Sequence, residues 1–243
     1  MRMNTDGLIL KVTDVGESDR VVTVLTKDYG VLRAYANGAK KIKSRSQGAT
    51  QPLCYSRLSI YKNRDSYIID EAQSIESFFR LRDNIENLSL AQYFCELAGE
   101  LAPEMDEAAD FLRVTLNCLH MLVTGKRTQL FLKAVAELRL LTLAGYMPDL
   151  SVCSRCGKEP AEGVGFLPES GTVVCPACGH TGIALTPGVL CAMRHICTAP
   201  DEKLFAFQMP EESLKRLSEI SERYLLVQTG HRYKALDFYR SLF

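Results

Sequence analysis

Four cysteines constrain this 243-residue chain more than any other feature. Two residues separate Cys153 from Cys156, two separate Cys175 from Cys178, and eighteen lie between the pairs. A Cys-x-x-Cys turn aims two sulfurs at one centre, and a second turn supplies the other two corners of a tetrahedron. Gly157 and Gly179 follow the pairs directly, where a tight turn favours glycine. The spacing predicts one structural Zn2+ held by Cys153, Cys156, Cys175 and Cys178. Two redox pairs or a disulfide hairpin are the competing readings. His180 is close in sequence, but four thiolates already complete the shell and leave no open position for a catalytic water. The centre is therefore expected to hold the fold together. Between the pairs, Val164–Leu167 and Thr172–Val174 bracket Pro168-Glu169-Ser170-Gly171, the pattern of a β-hairpin in a zinc ribbon.

The other five cysteines, Cys54, Cys95, Cys118, Cys191 and Cys197, lie in apolar or helical settings and read as buried free thiols. No secreted disulfide framework emerges, which fits a reducing, cytoplasmic location. The N-terminus lacks the charged-then-apolar pattern of a signal peptide, and no apolar run approaches the roughly 18 residues of a membrane span. No membrane partner is expected. Formal net charge is zero over the chain, but residues 1–80 hold 13 Lys and Arg against 9 Asp and Glu. That basic lean points weakly toward nucleic acid.

Residues 1–80 read as five short strands: 8–12, 20–26, 31–36, 55–61 and 67–72, with a wider gap between the third and fourth. That pattern suits an OB-type barrel, with a small five-stranded sheet of another topology as the alternative. The gap, residues 37–49, carries Lys40, Lys41, Lys43 and Arg45 and no acid. A cationic loop on such a barrel follows a phosphate backbone through counterion release, without reading sequence; a solvated loop without a role is the alternative. Tyr29, Tyr35, Tyr55, Tyr61 and Tyr67 are candidates for base stacking, although strand tyrosines are commonly core or cross-strand partners.

Residues 81–243 read as a helical domain carrying the metal element at about 150–183. Helical sequence is expected to begin within Ile75–Leu81. Leu90, Phe94, Leu97 and Leu101 form one stripe, ended by Pro103. Phe111, Thr115, Cys118 and Leu122 form a second, ended near Gly125. Phe131–Leu143 is apolar on nearly every side and should be buried. His120 reads as a core or boundary residue. Thr186-Pro187 and Pro210-Glu211-Glu212 open two further helices. The C-terminal tail mixes cations with aromatics and either docks on the core or offers a partner surface. No P-loop, dinucleotide fingerprint, deaminase His-x-Glu or nucleophile elbow occurs. The chain is read as a non-enzyme.

Together these features resemble the RecO family of bacterial recombination mediators. Asp6-Gly7-Leu8-Ile9-Leu10 and Gly16-Glu17-Ser18-Asp19-Arg20 are similar to the family's opening strands. Leu25–Gly30 and Ala36-Asn37-Gly38-Ala39-Lys40 are similar to its next turn and basic loop. Gln51-Pro52, Tyr93–Leu97, and Leu140–Pro148 leading into Cys153 also match, over about residues 1–200. The family's usual arginine after the third strand is Asn37 here, which makes Arg33 and Lys40 the neighbouring cations to test. The resemblance implies a DNA repair protein that binds single- and double-stranded DNA and anneals complementary strands. It further implies work with RecR and single-strand DNA-binding protein to load RecA, in association with the nucleoid. Arg20, Arg33, Lys40, Lys41, Lys43 and Arg45 become the candidate DNA contacts. A zinc-ribbon adaptor of transcription or translation and an enzyme with an unrecognised site are the two other classes of function considered.

Overall fold

The computed structural model describes residues 2–40, 46–63, 66–160, 163–179 and 181–243. Lys41, Lys43, Arg45 and His180 lie outside them. The sequence pattern divides the chain at residue 80. By contact it groups into one unit of Met1–Lys126 with Tyr233–Phe243, and a second of Arg127–Arg232.

Period-two alternation builds the first unit. Strands β1 (Arg2–Val15), β2 (Asp19–Thr26), β3 (Gly30–Ala36), β4 (Cys54–Lys62) and β5 (Tyr67–Ser77) close into a barrel in the order β1-β2-β3-β5-β4. Antiparallel β1–β4 pairing from Arg2↔Tyr61 to Leu8↔Tyr55 shuts one seam; two parallel β3–β5 pairs shut the other. Alternate side chains point inward, and Ile9, Val22, Val24, Leu32, Ala34, Leu58, Ile60 and Ile69 fill the interior. This is the expected five-stranded OB-type topology. One boundary departs from expectation. Ile75–Ser77 still belongs to β5, paired with β4 as far as Cys54↔Ser77. Helical structure begins only with a 3-10 turn at Phe79–Asp83. The β4 ladder supplies hydrogen bonds that local sequence cannot foresee.

Part of the barrel's outer face is covered. Leu25 points away from the barrel core yet is fully buried, because α1 (Ile85–Leu101) and α2 (Ala109–Thr124) pack on β1 and β2. The segment joining them straps the β2–β3 turn: Val31 N–H donates to Pro103 O (2.9 Å), Met105 N–H to Tyr29 O (3.1 Å) and Ala108 N–H to Lys27 O (2.9 Å). Gly30 sits at φ +60° in that contact, and a Cβ there would lie 1.9 Å from Pro103 O. No side chain fits. The C-terminal tail docks here as α6 (Lys234–Arg240): the Glu96 carboxylate of α1 accepts from Lys234 N–H (3.1 Å) and Ala235 N–H (2.8 Å), and Tyr233 packs edge-on against Tyr93. His120 is half-exposed, 3.9 Å from Glu76, not the core or boundary residue expected. Its helix buries the face of Phe111, Thr115, Cys118 and Leu122 and turns residue 120 away.

The second unit is organised on α3 (Gln129–Leu143), which is buried on every side as its composition predicts. It also buries a charge cluster. Lys133 Nζ lies 2.9 Å from Glu137 and 2.8 Å from Glu222, and Ser221 Oγ donates to Glu137 at 2.5 Å. These contacts join α3 to α5 (Glu211–Thr229). Helix α4 (Pro187–Thr198) starts as expected, with Thr186 as N-cap and Pro187 at its first position. Cys191 departs from the buried-thiol expectation: it is exposed, because α4 buries the stripe of Val189, Leu190, Met193, Ile196 and Cys197 and residue 191 faces outward. The other four non-quartet cysteines are buried. Among the described residues no helix is long and apolar enough to cross a membrane.

Lys133→Met should destabilise the protein by about 3–5 kcal/mol, because it strands two carboxylates in the interior. The triple change Lys133→Met, Glu137→Leu, Glu222→Leu should recover most of that loss. Chemical denaturation midpoints of the two variants check both expectations.

Candidate metal centre and nucleic-acid interface

The four cysteines converge as their spacing requires. A small sheet in the order β6-β8-β7-β9 carries them: β6 (Asp149–Cys153), β7 (Val164–Leu167), β8 (Thr172–Val174) and β9 (Ile183–Leu185). The β7–β8 hairpin is the expected one; β6 and β9, too short to show alternation, were not anticipated. Cys153 ends β6, and Gly157 N–H returns to its carbonyl at 2.9 Å, with Gly157 at φ +70°. Cys175 follows β8 and leads into a 3-10 turn, Pro176–Cys178. Arg155 clasps the two turns by donating to Cys178 O at 2.6 Å.

All four sulfurs lie within 4.8 Å of one another. A metal bound tetrahedrally at about 2.3 Å from each thiolate spaces its sulfurs at about 3.8 Å, and Cys156 and Cys175 stand 3.8 Å apart. The donor set therefore fits one metal ion with little rearrangement. The four thiols are free. Cys175 N–H donates to Cys153 Sγ at 3.3 Å and, with further backbone donors, draws that thiol down to about 6. Hydrogen bonding with Cys156, then with Cys175, pushes Cys178 up to about 12. Metal binding here must release the protons that the thiols still carry. The element fits an inserted zinc ribbon. Phe166 packs edge-on against Tyr224 of α5 at 5.3 Å, Tyr224 Oη donates to Tyr146 O at 2.9 Å, and Arg194 of α4 donates to Leu150 O.

The candidate DNA contacts fall in two groups. Arg20 and Lys40 are engaged: Asp14 lies 3.3 Å from Arg20 Nε and 3.5 Å from Lys40 Nζ, which also donates to Gly16 O. Lys40 N–H to Ser18 O (3.0 Å) and Gly38 N–H to Asp19 Oδ1 (2.7 Å) complete a tie between the β1–β2 turn and the chain leaving β3. Arg33 is different. It points outward from β3 and makes no ion pair among the described residues. The register sets Arg33 opposite Thr23 and Thr23 opposite Lys11, so two exposed cations flank one threonine on the open part of the barrel. Lys11 was missed in the sequence because strand β1 reads as apolar there; only the register reveals its row. Lys41, Lys43 and Arg45 lie outside the described residues.

Two family models match the chain. One, described as recombination protein O N terminal, matches residues 1–78. The other, recombination protein O C terminal, matches residues 82–237. A protein named DNA repair protein RecO from Acetivibrio thermocellus is 31% identical over 99% of this chain and 97% of its own length. Proteins of the same name from Symbiobacterium thermophilum and Myxococcus xanthus are 29% and 31% identical, over 98% of this chain each and 97% and 96% of their own lengths.

Cys156→Ser should lower bound metal well below one ion per chain and reduce thermal stability, since metal binding here is folding energy. Metal should also leave on acidification, because protons compete for the same sulfurs. Metal analysis after dialysis across a pH series, alongside the melting temperature, reads both effects.

Proposed function

Because this chain belongs to the recombination protein O family, whose role is DNA repair and recombination, we propose that it binds single- and double-stranded DNA without sequence specificity and anneals complementary strands. It acts with RecR to load RecA on DNA coated by single-strand DNA-binding protein, works in the bacterial cytoplasm at the nucleoid, and catalyses no reaction of its own. The observation that carries this reading is the pair of outward cations, Lys11 and Arg33, on the uncovered face of an OB-type barrel. Annealing asks a protein to screen phosphate repulsion along two strands while leaving their bases free to pair. A surface that contacts backbone through cations meets that demand. Lys41, Lys43 and Arg45 follow in sequence and add three cations to this reading, and Arg20 and Lys40 are held by Asp14 just before them.

The metal is zinc. Four thiolates in a tetrahedron suit a d10 ion with no preferred geometry, and among the chain's own residues Cys153, Cys156, Cys175 and Cys178 are those that hold it. Zinc supplies cross-linking there and no redox chemistry. Metal analysis should find close to one zinc per chain and a colourless protein; iron with visible absorbance would overturn the assignment.

Replacing Lys41, Lys43 and Arg45 together with alanine should weaken single-strand binding and flatten its salt dependence by up to about 2 units of slope. Arg33→Ala should flatten it by about 0.7. The wild-type chain should anneal complementary oligonucleotides coated with single-strand DNA-binding protein, and the loop variant should not. Equal annealing by the two proteins would sink the reading.

A further inference from the structure

The barrel register gathers more than cations. Tyr61 of β4 stands opposite Ile68 of β5, Ile68 opposite Tyr35 of β3, Tyr35 opposite Val21 of β2, and Val21 opposite Thr13 of β1. All five point away from the barrel interior. Tyr35 and Tyr61 are 42% and 37% exposed, and Ile68 between them is half-buried. Strands stand about 4.8 Å apart, so the backbones of the two tyrosines lie roughly 10 Å from each other across one shared isoleucine, and the curvature of the closed barrel splays their rings further. The neighbouring row on the same face is Lys11–Thr23–Arg33.

The other barrel tyrosines are not available in this way. Tyr29 and Tyr67 pack against the barrel core, Lys62 Nζ sits over the Tyr67 ring at 5.6 Å, and the Tyr67 hydroxyl reaches Met105 Sδ. Tyr55 is half-buried, and desolvation raises its hydroxyl. Tyr35 and Tyr61 therefore differ from the rest of the strand tyrosines.

An exposed tyrosine on a strand usually stabilises the sheet through its cross-strand neighbours. Here each ring lies next to the small floor of Ile68, away from the other ring, and Arg33, with Lys11 two strands beyond it, stands in the next row on the Tyr35 side. Nucleobases offer flat faces that stack on such rings, and phosphates offer the charge for Lys11 and Arg33. Near the Tyr61 end, the Asp70 carboxylate is occupied by Arg2. Bases inside a duplex are already stacked on each other and cannot reach a surface ring.

We propose that Tyr61, Ile68 and Tyr35 form a base-stacking platform for unpaired nucleotides, with Lys11 and Arg33 holding the backbone beside it. The proposal rests on the DNA-binding reading above and adds that this face selects single strands over duplex. The loop cations serve both forms of DNA; the platform serves only one.

The chain contains no tryptophan, which makes a direct test available. Tyr35→Trp and Tyr61→Trp, made singly in the full-length chain, introduce a sole tryptophan at each position. Its emission should be quenched on titration with an oligo-dT strand and unchanged with a blunt duplex of the same length. Tyr35→Ala should weaken oligo-dT binding roughly 5- to 100-fold with an unaltered salt slope and little effect on duplex. Tyr35→Phe should bind like the wild type, since the ring and not the hydroxyl is used. The double change Lys11→Ala, Arg33→Ala separates the two levels. If it flattens the salt slope while neither tryptophan responds to oligo-dT, the face binds DNA without stacking: the platform is refuted and the DNA-binding reading stands. If the slope and both tryptophans are unmoved while DNA still binds, neither row of this face contacts DNA and the platform is refuted with it. Equal quenching by the duplex would refute the selectivity.

Discussion

Closure of the barrel is the constraint on which the first unit depends. Five strands cannot bury a core unless both seams pair, and here one seam is long and antiparallel while the other has two parallel pairs. Closure consumes the inward residues of every strand and forces the alternate ones outward. Outward residues then have two fates. Under α1 and α2 they become a second core, as Leu25 does. Elsewhere they stay in solvent as Lys11, Arg33, Tyr35 and Tyr61. The proposed DNA-binding face is what the helices leave uncovered.

The second unit solves a different problem. Its small sheet buries few side chains, chiefly Leu150, Phe166, Val173, Val174 and Leu185, and strands of three to five residues hold little by themselves. Two devices compensate. Sulfurs from the C-terminal ends of the parallel neighbours β6 and β8 meet at one point, and Tyr224 and Arg194 fasten the sheet to α5 and α4. A buried lysine between two glutamates then joins α3 to α5. Such a cluster specifies one arrangement of helices more than it adds stability.

Local chemistry with a fixed reach was readable from residues alone. Two Cys-x-x-Cys turns can bring four sulfurs together only at one centre, the Thr186 cap and Pro187 start a helix by their own geometry, and alternation of apolar residues marked five strands. Features that depend on a distant partner were not readable. Ser77 is strand because Cys54 lies opposite. Cys191 is exposed because the core lies on the other side of α4. Lys133 and Glu137 look like a surface pair four residues apart until α5 covers them.

The proposed DNA contacts divide along the same line. The sequence by itself determined that residues 37–49 are rich in cations, that a small barrel carries them, and that four cysteines share a metal centre, because each is a matter of composition or short spacing. The fold alone decided that Arg20 and Lys40 are held by one aspartate, that Arg33 stands free of ion pairs among the described residues, and that Lys11 shares its row while Tyr35 and Tyr61 stand in the next. The physical reason is register. Side chains alternate along each strand, but which of them become neighbours across strands is set by the pairing, and pairing exists only once the barrel has closed.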